Sequence, residues 1–146
     1  MRLATKSWGD EDRPLAVLVY GVTASSHTWW RVGPWFAENG WPAVAVDLRG
    51  HGASPRMRGG EGLEDLAADV YETVFDAPGM DAIDVLLGHS LGALISLELY
   101  RKHGELARRM VLEYPPGSES TDFEEVAREV QTDAALSRES PETLAR

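Results

Sequence analysis

Five residues carry the clearest chemical signal in the chain: Gly88-His89-Ser90-Leu91-Gly92, a G-x-S-x-G pentapeptide. An apolar run, Ile83–Leu87, leads into it, and a helical pattern starting at Leu91 leads out. A serine at the tip of such a strand-to-helix turn has strained backbone angles, and the turn closes only if its neighbours are small. Gly88 and Gly92 supply that room. The turn lifts the Ser90 hydroxyl clear of the sheet at the carboxyl ends of the strands, where open parallel sheets bind ligands. Nucleophilic attack on an acyl carbon is the chemistry expected there. The Leu91 amide, first of the following helix, is expected to face the negative charge that develops on the carbonyl oxygen.

An oxyanion site needs a second donor. The run Leu15–Tyr20 ends in Tyr20-Gly21-Val22-Thr23, where Gly21 lets the backbone approach a ligand, and the Val22 amide is the candidate. Without Ser90 the same residues would read as an ordinary turn. A serine hydroxyl also needs a base, usually a histidine oriented by a carboxylate. There are four histidines. His103 alone follows Ser90, but it lies roughly 20 Å away along a helix and suits a favourable charge at a helix C-terminus. His89 is expected to point away from its neighbour. His51 falls in a Gly-rich turn and His27 at a helix start, where both read as structural. None of the four is expected to be the base.

The elements that must position these residues are strands alternating with helices. Leu15–Tyr20, Ala43–Asp47, Ile83–Leu87 and the shorter Arg109–Glu113 are rich in Val, Ile or Leu with little alternation, as in strands covered on both faces. An opening strand around Leu3–Trp8 is a weaker reading. Helical spacing covers Thr28–Asn39, stopped by Gly40 and Pro42, then Leu63–Phe75, then Leu91–Lys102, closed by Gly104 as a left-handed cap. The pattern predicts an α/β fold with a mostly parallel sheet and flanking helices. Beyond Pro115-Pro116-Gly117 the chain turns polar, with short helices expected over 122–131 and 132–136. The expected division is therefore a sheet-bearing core over 1–116 and the start of a helical layer over 117–146.

The chain has 146 residues, no cysteine and a formal net charge of −10. A disulfide framework and a thiolate nucleophile are excluded, and the acidic balance argues against nucleic-acid or anionic-membrane partners. No stretch approaches the roughly 18 apolar residues of a membrane span, and the first residues carry no apolar signal segment. The expectation is a cytoplasmic protein. Residues 117–146 hold eight acidic and three basic residues, so about half the excess charge sits there as a solvated helical face. No metal-ligand cluster or phosphate loop is present, so no cofactor and no metal are expected.

The run LVYGVTASSHTWWRVGPWFAENGWPAVAVDLRGHGASP, followed by LLGHSLGALISLELY, resembles the N-terminal half of an α/β-hydrolase-fold enzyme over about residues 8–116. Asp47-Leu48-Arg49-Gly50-His51-Gly52-Ala53-Ser54 is similar to the turn after that family's fourth strand, and residues 88–92 to its nucleophile elbow. The four apolar runs then correspond to the family's third to sixth strands, and 117–146 to the start of its helical cap. The resemblance implies a serine hydrolase of carboxylic esters or related acyl compounds, acting on a small ester-like substrate through an acyl-serine. Serine at the elbow disfavours the branches that use a carboxylate nucleophile.

The family's chain order is Ser, then Asp or Glu, then His; this sequence ends before the strands and loop that would bear the last two. Some members take the acid from the end of the strand after the nucleophile helix, which makes Glu113 a candidate beside the plainer reading of a rim carboxylate. Tyr20 stands where histidine is common in the family, and Tyr114 where aspartate is frequent. The alternative reading is a non-catalytic remnant or binding module. An apolar edge at 109–113 would invite another strand, so the sequence suggests a fragment of a longer polypeptide, a partner of a complementing chain, or an edge-paired homo-oligomer.

Overall fold

A computed structural model describes residues 1–10, 16–56, 62–75 and 83–116. Within them the chain forms strands β1 (Thr5–Trp8), β2 (Ala16–Val19), β3 (Ala43–Val46), β4 (Ile83–His89) and β5 (Ala107–Glu113), a 3-10 helix (Ser26–Trp29), and helices α1 (Val32–Glu38), α2 (Leu63–Val74) and α3 (Leu91–His103). The strands make one sheet in the order β1-β3-β2-β4-β5. Pairings β2–β3, β2–β4 and β4–β5 are parallel, whereas β1 runs antiparallel to β3. The α/β class and the mostly parallel sheet therefore stand as the alternation implied. The short helices expected after residue 117 lie outside the described residues.

Ala16, Val17, Leu18 and Val19 of β2, flanked by strands on both sides, are fully buried, which is why this stretch shows no polar alternation. Helix α3 packs against β2, β4 and β5, and α2 packs on α3. Covered from two directions, α3 buries Gly92, Ala93 and five residues from Ile95 to Leu99. Glu98 is among them. Its carboxylate accepts two hydrogen bonds from the Arg101 guanidinium, at 2.7 and 2.8 Å, and this partner outweighs burial to hold its pKa below the usual range.

Four elements differ from the sequence reading, one of them β5, which begins at Ala107 instead of Arg109 and has no buried residue, so it is not covered on both faces. The single helix expected over 28–39 is two pieces, because Pro34 has no N–H for the Trp30 carbonyl and its ring clashes with a continuous helix there. Proline is tolerated instead in the first turn of α1. A Cβ on neighbouring Gly33 would fall 2.6 Å from Trp8 Cζ3, so α1 is pressed onto β1. Strand β4 continues two residues past Leu87, because Gly88 and His89 pair with Leu112 and Glu113. Gly104 closes α3 with positive φ as expected, but at φ 71° and ψ −143° it is not in the left-handed helical well.

Leu18 lies at the centre of this sheet with no exposure. Leu18→Ala is expected to lower stability by about 2–5 kcal/mol, read as a shift in the urea midpoint with an unchanged m-value.

Candidate active site

At Ser90 the chain leaves β4 and enters α3 with φ 53° and ψ −119°. A non-glycine residue held in such a region costs about 1–3 kcal/mol and persists only when its surroundings dictate it. Here they do. The Ser90 N–H donates to the Glu113 carbonyl at 2.8 Å, and the Ser90 carbonyl accepts from the Ala93 N–H at 2.9 Å. A Cβ on Gly92 would strike the Val19 carbonyl oxygen and lie 2.8 Å from that of Tyr20. One on Gly88 would strike the Gly92 carbonyl oxygen and lie 2.6 Å from Ser96 Oγ. The two glycines thus let α3 begin directly on the ends of β2 and β4.

Serine before a helix ordinarily caps it, its hydroxyl accepting an amide of the first turn. Ser90 occupies the capping position of α3 but makes no such bond. Its hydroxyl is not consumed by the helix it precedes.

Gly21 brings the end of β2 to the same point. A Cβ there would sit 2.8 Å from Ser90 Cβ and 3.2 Å from both Ser90 Oγ and His89 Nδ1. Val22 follows in an exposed turn. Among the described residues neither the Val22 nor the Leu91 N–H donates to a backbone acceptor. Among the described residues three non-glycine residues have positive φ: Thr23 at 66°, Ser90 at 53° and Tyr114 at 49°. They follow β2, β4 and β5, which are neighbours in the sheet. Backbone strain is therefore concentrated at one rim, a recurrent property of ligand sites.

The histidines sort by position. His89 brings Nδ1 beside Gly21, which has no side chain to hold it off. His27 Nδ1 lies 3.4 Å from Lys6 Nζ, His51 Nδ1 lies 3.0 Å from the Arg49 carbonyl, and His103 stacks on Tyr71 with ring centroids 3.8 Å apart. Glu113 is exposed and reaches the elbow through its carbonyl.

Asp47 and Tyr20 support the rim. The buried Asp47 carboxylate accepts the Ser26 N–H at 2.7 Å and the Ala53 N–H at 2.9 Å, tying the loop after β2 to the Gly-rich turn after β3. A Cβ on Gly52 would collide with that carboxylate. Burial alone would raise the Asp47 pKa, but the Ala53 and Ser26 amides, the Ser26 hydroxyl and nearby His51 together hold it below the usual range. The fully buried Tyr20 hydroxyl accepts the Leu48 N–H at 2.7 Å. Burial, with the neighbouring Asp47 charge, pushes its pKa up to about 12. Tyr20 therefore braces the turn after β3. The sequence signal for both roles was the D-x-R-G-x-G-x-S turn, but it did not show what Asp47 would hold.

A cavity of about 350 Å³ adjoins the elbow, with apolar lining from Leu48, Leu66 and Leu91 and polar lining from Arg49, His51 and Arg56. It touches Leu91 and not Ser90, so it is beside the rim and not the reacting position itself. Among the described residues no group of three or more His, Asp or Glu side chains could hold a metal ion, and no helix is long and apolar enough to cross a membrane.

Residues 14–136 match the model of a family described as alpha/beta hydrolase fold. A pimeloyl-[acyl-carrier protein] methyl ester esterase of Neisseria meningitidis is 35% identical over 95 residues, which are 65% of this chain and 34% of that protein. A probable lysophospholipase of Arabidopsis thaliana, BODYGUARD 4, is 30% identical over 102 residues, 68% of this chain and 24% of that protein. Among solved structures, a thioesterase domain from the curacin biosynthetic pathway superposes with a TM-score of 0.70 at 20% identity, covering 92% of this chain and 50% of that one. The chain spans less than half the length of the curated relatives it matches.

The lowered pKa of Asp47 links stability to pH. A carboxylate depressed by folding contributes stability that is complete above its unfolded pKa and is lost as pH falls through the folded value. Asp47→Asn is expected to be less stable than wild type by about 1–3 kcal/mol at pH 7. That gap should narrow below about pH 4, as measured by urea unfolding at both pH values.

Proposed function

The chain belongs to the α/β-hydrolase fold family, and on that premise we propose that Ser90 is the nucleophile of a serine hydrolase acting on a small carboxylic ester or related acyl compound. The observation that carries this reading is the Ser90 hydroxyl, which makes no capping bond to α3 and sits on a positive-φ backbone at the rim of a parallel sheet. In the reaction Ser90 Oγ attacks the carbonyl carbon while a base takes its proton. The oxygen of the tetrahedral intermediate is stabilised by the Val22 and Leu91 amides, in a site where preorganised donors are worth roughly 3–4 kcal/mol each. The carbon–oxygen bond to the leaving alcohol then breaks, the alcohol takes the proton from the base, and water hydrolyses acyl-Ser90 by the same steps in reverse.

No histidine among the described residues is hydrogen-bonded to Ser90 Oγ. The base and its orienting acid are proposed to come from the part of the fold that the relatives carry and this sequence does not span. The same consideration applies to β5, which pairs with β4 alone among the described residues. A further strand, from more of the same polypeptide or from another chain, is proposed to add along 109–113. Ester and thioester chemistry is supported by the names of the similar esterase and thioesterase domain. The absence of a histidine bonded to Ser90 favours one second reading, a binding module that keeps the rim without turnover.

A fluorophosphonate probe separates the two. The hydrolase reading expects one label per chain, faster when imidazole is added as an external base, and none in Ser90→Ala with the same circular dichroism spectrum. Folded wild-type protein that stays unlabelled with and without imidazole would sink the nucleophile assignment and leave the binding module.

A further inference from the structure

The cavity beside Leu91 has no part in the acyl chemistry assigned to Ser90. Among the described residues its polar side chains are Arg49, His51 and Arg56, two cations and no carboxylate, although the chain carries a net charge of −10. They are not equivalent. Arg49 is already neutralised, because its Nε donates to buried Asp69 Oδ2 at 2.6 Å. His51 sits 3.0 Å from the Arg49 carbonyl through Nδ1. A carbonyl only accepts, so Nδ1 carries the proton and Nε2 is the ring's remaining polar atom. Arg56 has no ion pair with any described residue. Its Cγ lies 3.5 Å from where a Cβ on Gly50 would fall, so its stem folds over the Gly-rich turn. Beneath this cationic side lie Leu48 and Leu66, both buried, and Leu91.

We propose that this cavity is a subsite for a small carboxylate with an apolar tail, the Arg56 guanidinium holding the carboxylate and the three leucines holding the tail. One guanidinium fork matches the two oxygens of one carboxylate. The volume, about 350 Å³, is at the small end of ligand pockets, which run from roughly 300 to 1,000 Å³. Leu91 adjoins Ser90 in the chain, so an occupant ends one residue from the reacting serine. Resting on the hydrolase reading, the preferred substrate is then an ester whose acyl part carries a second, free carboxylate.

Hexanoate, its neutral isostere hexanamide and inorganic phosphate are titrated into the full chain by NMR. Saturable hexanoate binding that weakens at least tenfold in Arg56→Ala, and less in Arg56→Lys, is the expected result, with hexanamide and phosphate binding weakly to all three proteins. Equal hexanoate affinity in wild type and Arg56→Ala, or hexanamide or phosphate binding as tightly as hexanoate, overturns the subsite. Unchanged thermal unfolding of the exposed Arg56 variants guards against misfolding. Binding is expected to persist in Ser90→Ala. Arg56-dependent binding without fluorophosphonate labelling keeps the subsite and removes the hydrolase; labelling without Arg56-dependent binding does the reverse.

Discussion

Close approach of backbone to backbone at Gly21, Gly88 and Gly92 is the constraint on which the rest of the site depends. A Cβ at any of the three would press on an atom of a neighbouring element: Ser90 itself, the first turn of α3, or the end of β2. With those side chains absent, α3 begins against the sheet and Ser90 is driven into a conformation that most residues avoid. The cost is met by the ladder, since the Ser90 N–H continues the β4–β5 pairing by donating to Glu113. A strained serine is stable here because two neighbouring strands leave it no alternative.

That rim is braced from one side by a pair of buried polar groups. Asp47 collects amides from two loops and Tyr20 collects one from the turn beyond β3, so the segment bearing Val22 and the segment bearing His51 are held to a common point. Unpartnered, the buried Ser26 and Leu48 amides would each cost about 1–3 kcal/mol. The same turn places Arg49 on Asp69 of α2, the helix that packs on α3. Elbow, turn and helical layer are therefore coupled through charge and hydrogen bonds as well as through the apolar core.

Much of this was legible in the residues. The apolar runs identified β2, β3 and most of β4 because a strand covered on both faces has no polar side to show, while β5, which has no buried residue, was marked only by its short Met-Val-Leu run. The G-x-S-x-G spacing located the elbow because only glycine fits beside it. The single helix read across 28–39 failed at Pro34, a local rule that periodicity had outweighed. The extra length of β4 was not legible, since Gly88 and His89 join the sheet only through partners more than twenty residues away.

By itself the sequence determined the α/β class, the approximate elements and the position of Ser90, all of which follow from local spacing and side-chain size. Only the tertiary structure decided that Tyr20 serves as a buried acceptor, that Asp47 ties two loops together, that His89 lies beside Gly21, and that Arg56 lines a cavity next to Leu91. Those outcomes depend on which distant segments meet. Chain spacing does not encode such meetings; they are settled by the order in which the strands stack and by the buried polar groups that must then find partners.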